Sequence, residues 1–184
     1  MTQFSLMHQR RFLPFFLTQF LGAFNDNVYK NALVVLMTFQ AARYTELSAG
    51  VLVNLAAGLF ILPFFLFSAT AGQLADKFEK SHLMRLIKLA EIAIMALAAT
   101  AFALESLPLM LTTLFLMGAQ SSLFGPVKYA ILPQHLAETE LVGGNALVES
   151  GTFIAILIGT IAGGVMSALP GGTIVVTDRM AEIT

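Results

Sequence analysis

"GAFNDNVYKNAL", residues 22–33, is the stretch on which the fold turns. Its neighbours are Phe, Leu and Val, yet it holds Asn25, Asp26, Asn27, Lys30 and Asn31. A soluble helix would turn such residues to water. The composition argues against that reading. Of 184 residues, 57% are hydrophobic and 11% are charged, against about 25% charged in an ordinary soluble domain. Mean hydropathy is +0.81. Amides and charges in this setting belong to the inside of a membrane helix bundle.

A helical span needs about 20 mostly apolar residues. Five segments qualify: about 12–42, 47–71, 82–104, 107–132 and 142–169. Short links join them: "RYTE", "GQLADKFEKS", "ESLP" and "PQHLAETE". The expected fold class is all-α, a polytopic transmembrane bundle over residues 1–170. Residues 171–184 read as a polar tail where a sixth helix would begin, because Ile174–Val176 is too short an apolar piece to span. Arg10 and Arg11 precede the first apolar run as in a signal peptide. That run continues without a small-residue cleavage site, so it reads as a retained span. Lys and Arg near span ends set orientation. With a cytoplasmic N-terminus, that side receives Arg10, Arg11, Lys77, Lys80, Arg85 and Lys88, and the other side only Arg43.

Several function classes fall away. No basic patch is interleaved with aromatics, so no nucleic-acid partner is expected. Cysteine is absent, which removes thiol chemistry and cysteine metal sites. No phosphate loop, metal-ligand set or cofactor motif is present, so neither metal nor cofactor is expected. An acyltransferase would need His-x-x-x-x-Asp, but His8 leads to Leu13, His82 to Ile87 and His135 to Glu140. The chain is not expected to be an enzyme.

A helix turns about 100° per residue, so Gln19, Asp26 and Lys30 share one face of the first span. Asp26 and Lys30 are spaced to pair. Each charge at the bilayer centre costs about 2.5–3.5 kcal/mol on insertion scales. The face is therefore either a structural ion pair or the wall of a wet cavity for a polar substrate, and the number of polar residues favours the cavity. Lys128, in "FGPVKYAIL", either snorkels to water or joins that cavity; Pro126 before it frees a backbone carbonyl. Asn145 and Glu149, in "GGNALVES", share a face of the fifth span. Behind them Gly151, Ala155, Gly159, Gly163 and Ser167 recur every four residues, a small-residue ridge for close helix packing. In the loop after the second span, Gly72 allows a tight exit, and Asp76 is placed to cap the next helix or to pair with a nearby base. A faint repeat pairs "GAF" at Gly22 with "GAQ" at Gly118, "VYKNAL" at Val28 with "VKYAIL" at Val127, and "GLFI" at Gly58 with "GTFI" at Gly151. Each pair lies three helices apart, as in inverted-repeat transporters.

"GQLADKFEK" resembles the loop signature between helices two and three of the major facilitator superfamily, with Glu79 near the place of the usual later glycine. Together with "QFLGAFNDN", "GPVKYAILPQ" and "NALVESGTFIAILIGTIAGG", it resembles the bacterial lysophospholipid transporter branch. The form with "FNDNVYKNAL" is most like members fused to acyltransferase and acyl-carrier-protein (acyl-ACP) synthetase domains. The likeness covers about Arg11 to Leu169, less than half of such a transporter.

The resemblance implies an incomplete N-terminal six-helix half of an inner-membrane flippase. Such a protein moves lysophosphatidylethanolamine-type lipids inward for reacylation by alternating access. Its partners would be the lysophospholipid substrate, membrane lipids, a second transmembrane bundle and an acyltransferase/acyl-ACP synthetase. By motif match, Asp26, Lys128, Asn145 and Glu149 would line the head-group cavity; Gln19 and Lys30 rest on the helical face alone. Gly72, Asp76, Lys77 and Lys80 would belong to a loop that latches one state. Two alternatives stay open: an inactive or partner-dependent membrane fragment, and a transporter of the same superfamily for another small solute.

Overall fold

The computed structural model describes residues 3–168. Among these residues there is no strand. A 3-10 turn, Gln3–His8, precedes α1 (Leu13–Phe39), α2 (Ala41–Tyr44), α3 (Ala49–Lys77), α4 (Lys80–Ala103), α5 (Leu107–His135) and α6 (Glu138–Ala168). The tail expected at 171–184, with its sixth-helix region, lies outside the described residues.

The helices α3 to α6 are long and apolar enough to cross a membrane, by length and composition. Their 24 to 31 residues reach roughly 36–46 Å, against a hydrocarbon core of about 30 Å. With 27 residues α1 is long enough too, but its polar segment 25–31 makes it less apolar than the other four. It is the helix that carries polarity into the bundle.

Helix ends follow local chemistry. Pro14 stands in the first turn of α1, where its fixed φ suits a helix start and its missing N–H costs nothing. Ser48 caps α3 through the Val51 N–H. Between α3 and α4 the structure corrects two expectations. The segment Gly72–Lys77 is helical, because polar residues at a helix end need not leave the helix, and Lys77 suits the negative end of its dipole. Gly72 is therefore inside α3 and not at its exit. Asp76 lies in the last turn of α3 and does not cap α4. Glu79 does: its carboxylate accepts from the N–H of Ser81 at 3.0 Å and of His82 at 2.6 Å. Those backbone donors hold the Glu79 carboxyl below the usual carboxylate range.

Three pairings build the bundle: α1 runs along α6, and α5 lies against both α3 and α4. The ridge on α6 meets α1. A Cβ on Gly159 would lie 2.5 Å from the Phe24 carbonyl oxygen, and one on Gly163 would lie 2.6 Å from that of Val28. One turn before Gly159, Ala155 is fully buried, and Gly151 faces the Phe16 ring. The sequence repeat maps α1 onto α5 and α3 onto α6, so it exchanges the α1–α6 pairing with the α5–α3 pairing.

The larger apolar core joins Leu33, Leu36 and Met37 of α1 to Leu52 of α3, Ala101 of α4 and Met110 and Met117 of α5. Within it the Tyr29 hydroxyl donates to the Met110 carbonyl at 2.8 Å, which satisfies its only buried polar group. A second cluster, with Leu6, Phe12, Leu132, Leu136 and Val148, closes the end near the N-terminus. Outward, Phe65 is 80% exposed and Phe153 is 70% exposed, which suits a bundle solvated by lipid. Ion pairs tie the two ends: Arg11 to Glu140 at 2.7 Å and Arg43 to Glu105 at 2.5 Å.

Candidate functional site

The polar stripe of α1 faces a cleft of about 380 Å³ walled by α1, α3, α4, α5 and α6. Gln19, Asp26 and Lys30 of α1 line it, with Lys128 of α5. The flanking amides behave differently. Asn27 donates to the Ala23 carbonyl at 2.7 Å and Asn31 to the Asn27 carbonyl at 3.1 Å, both within α1. The opening stretch therefore mixes two solutions: charges turned to a cleft, and amides bound back to their own helix.

The expected Asp26–Lys30 ion pair does not form. Asp26 Oδ2 accepts from the Ser121 hydroxyl at 3.0 Å, while the Lys30 ammonium sits 4.5 Å above the Phe60 ring of α3. Spacing permits the pair within α1, but each side chain finds a partner on another helix. Asp26 Oδ1 is buried with no hydrogen-bond partner among the described residues.

Four residues that the sequence reading did not assign to the site complete it: Lys88 and Glu91 of α4, and Gln120 and Ser121 of α5. Lys88, a base near a span end by sequence, has its side chain 18% exposed and pairs with Glu91, 12% exposed, at 2.6 Å. Its ammonium also lies 4.1 Å from the Phe124 ring. Gly22 makes room for this pair, since a Cβ there would lie 2.5 Å from Lys88 Nζ. Glu91 also accepts from the Gln120 amide at 2.8 Å. Ser121 Oγ stands 3.0 Å from Asp26 and 3.3 Å from Gln120 Oε1, and its single proton serves one of them at a time. A polar chain thus runs Lys88–Glu91–Gln120–Ser121–Asp26. The signal for it was present as two charges three apart in the apolar run "LIKLAEIAIMAL".

At the other end of the cleft Lys128 is 9% exposed. Its ammonium is 3.1 Å from Glu149 and 4.6 Å from the Tyr129 ring, so it turns inward and does not snorkel. The Tyr129 hydroxyl donates to the same Glu149 oxygen at 2.7 Å. Glu149 touches the cleft through these two residues and is not itself on the wall. Asn145 is not brought to it: its amide donates to the Leu141 carbonyl of its own helix at 2.9 Å. Gln19 is 2% exposed and links helices, donating to the Val148 carbonyl at 3.2 Å and lying 2.9 Å from the Thr152 hydroxyl. Of the residues expected in a latch, Gly72 lies within α3, Asp76 and Lys77 stand at its end, and Lys80 opens α4.

The cleft therefore presents Asp26 and Glu91 together with Lys30, Lys88 and Lys128, both signs of charge within a bundle that is apolar outside. Such a surface fits a zwitterionic or mixed-charge solute better than an apolar one.

Comparison with known proteins supplies the lineage. The model of the Major Facilitator Superfamily matches residues 15–176. The lysophospholipid transporter LplT of Salmonella arizonae is 34% identical over 158 residues, which is 84% of this chain and 36% of that protein. LplT of Escherichia coli O1:K1 / APEC is 34% identical over 149 residues, 81% of this chain and 34% of its own length. LplT of Shigella boydii serotype 18 gives the same identity and coverage. The chain spans about a third of the length of these curated relatives. No solved structure matches it.

Proposed function

The chain belongs to the major facilitator superfamily, and from that premise we propose that it forms the leading part of an inner-membrane lysophospholipid transporter. The observation that carries this reading is the buried, mixed-sign cleft of α1, α4 and α5. A lysophosphatidylethanolamine head group has one amine and one phosphate. Asp26 Oδ1, buried and without a hydrogen-bond partner among the described residues, is the acceptor for the amine. Lys30, Lys88 and Lys128 surround the cleft as phosphate donors, and Glu149 and Gln19 hold the wall that presents them. The single acyl chain stays among the apolar side chains beyond the charges.

Transport proceeds by alternating access, in which this bundle rocks against a second bundle around the polar site. The residues Gly72, Asp76, Lys77 and Lys80 act near the α3–α4 turn to latch one state. The N-terminus is cytoplasmic, since Arg10, Arg11, Lys77, Lys80 and Arg85 gather at one end and Arg43 stands at the other. The lipid delivered inward is reacylated by an acyltransferase/acyl-ACP synthetase partner.

The test is uptake of labelled lysophosphatidylethanolamine into proteoliposomes holding the complete transporter that contains this segment. Losing a hydrogen bond to a charged group costs about 1.5–3 kcal/mol, so Asp26→Asn should slow uptake about ten- to a hundredfold with normal insertion. Uptake at the parent rate would reject the head-group assignment. Competition by small soluble solutes, with none by lysophospholipid, would reject the substrate class.

A further inference from the structure

We propose that a second cleft, at the adjoining ends of α1, α4 and α5, binds the phosphodiester head group of an anionic phospholipid from the leaflet beside it. This cleft measures about 450 Å³. Its wall carries Arg10, Arg11, Arg85 and Lys88, and no carboxylate. Two of these bases are already committed: Arg11 to Glu140 and the His135 carbonyl, and Lys88 to Glu91. Arg10 and Arg85 are exposed and form no ion pair among the described residues. Two guanidinium groups with no close ion pair among the described residues therefore face one concavity, and the Glu79 carboxylate at the start of α4 attracts Arg85 only from a distance.

The surroundings select a lipid as the source of the anion. The helices α1 and α4 both begin here, so their positive dipole ends add to the field. Pro14, Phe15, Met84 and Ile131 form the apolar part of the wall. The neighbouring turns of α1 and α4 expose Leu17, Leu21, Leu86 and Leu89, a surface for acyl chains and not for water. Basic pockets between helices at the membrane surface hold anionic head groups, and each arginine there contributes about a fivefold gain in binding. Arg forks also match two phosphate oxygens at once. The bound lipid would stand next to Lys88, whose side chain lines both this cleft and the central one. It adjoins the transport site through Lys88 but does not depend on which solute the transporter carries.

Native mass spectrometry of the detergent-purified protein tests the assignment, with phosphatidylglycerol, phosphatidylcholine and glycerol 1-phosphate as probes. Phosphatidylglycerol should be retained several-fold over phosphatidylcholine. Arg10→Gln with Arg85→Gln should weaken retention about 25-fold, while Arg10→Lys with Arg85→Lys keeps most of it. Lys77→Gln with Lys80→Gln removes two charges at the same end but outside the cleft, and should leave retention unchanged. Equal retention of the two lipids would overturn the proposal, as would an undiminished Arg-to-Gln variant. An equal loss in the Lys77/Lys80 variant would show diffuse surface charge only. Displacement by glycerol 1-phosphate at the same concentration would show a soluble-anion site, and both outcomes count against it.

Discussion

The Lys88–Glu91 pair can be tested by removing its members singly and together. The two side chains are 18% and 12% exposed, 2.6 Å apart, and Glu91 has a further donor in Gln120 at 2.8 Å. Taking away one member of a buried pair leaves an uncompensated charge, at a cost of about 3–5 kcal/mol. The cleft side admits water, so about 3 kcal/mol is expected for Lys88→Met, where Glu91 keeps only the Gln120 amide. Glu91→Leu should cost slightly more, because both Lys88 and Gln120 lose their acceptor. The double variant, Lys88→Met with Glu91→Leu, should lie within about 1–2 kcal/mol of the parent, since apolar replacement of a whole buried pair is often neutral and only the Gln120 amide then lacks its acceptor. SDS titration of the detergent-solubilised protein gives all four free energies and hence a coupling of several kcal/mol. Additive costs, with a coupling under about 0.5 kcal/mol, would refute the reasoning and mean that both groups are solvated independently. In the complete transporter proposed above, the double variant should still fail in uptake, which separates a stability role from the charge of the cleft.

Gly163→Ala should destabilise the α1–α6 contact by about 1–3 kcal/mol, because its Cβ would meet the Val28 carbonyl at 2.6 Å. Gly164→Ala, with nothing within 4 Å, should change SDS resistance by less than about 0.5 kcal/mol; equal effects at the two glycines would refute the packing account. The cap at α4 should be pH-dependent. The folded Glu79 carboxyl titrates below its ordinary value of 4.5, so its contribution is present above that value and is lost as pH falls through the folded pKa. The amide proton shifts of Ser81 and His82 should move together with a midpoint below 4.5 and stay flat in Glu79→Gln; a midpoint at or above 4.5 would contradict the cap.

The all-helical, membrane-spanning character was legible because twenty-residue apolar runs have few alternatives to a span. Boundaries were less so. Polar residues 72–77 look like a loop, but a helix that leaves the bilayer can continue into water, and hydropathy does not register that continuation. The polar face of α1 was readable from its own spacing. Partner choice was not: Asp26 and Lys30 are correctly spaced to pair, yet Ser121 and Phe60 on other helices take them. Lys88 shows the converse. Counted as one more terminal base, it belongs to the cleft because Gly22, on a different helix, leaves space for it. Pairing between helices is a property of two surfaces, and a single helical wheel holds only one.

The three cleft lysines also share an arrangement with a mechanical consequence. Lys30 reaches from α1 to Phe60 on α3, Lys88 from α4 to Phe124 on α5, and Lys128 from α5 to Glu149 on α6. Each ammonium hangs across a seam between two helices. A shift of about 1 Å at a seam would change the distance between a cation and the ring or carboxylate across it, while Lys88 keeps Glu91 of its own helix. The electrical character of the cleft is therefore a gauge of helix spacing: sliding one helix alters how much positive charge is free to meet an anion, with no residue gaining or losing a proton.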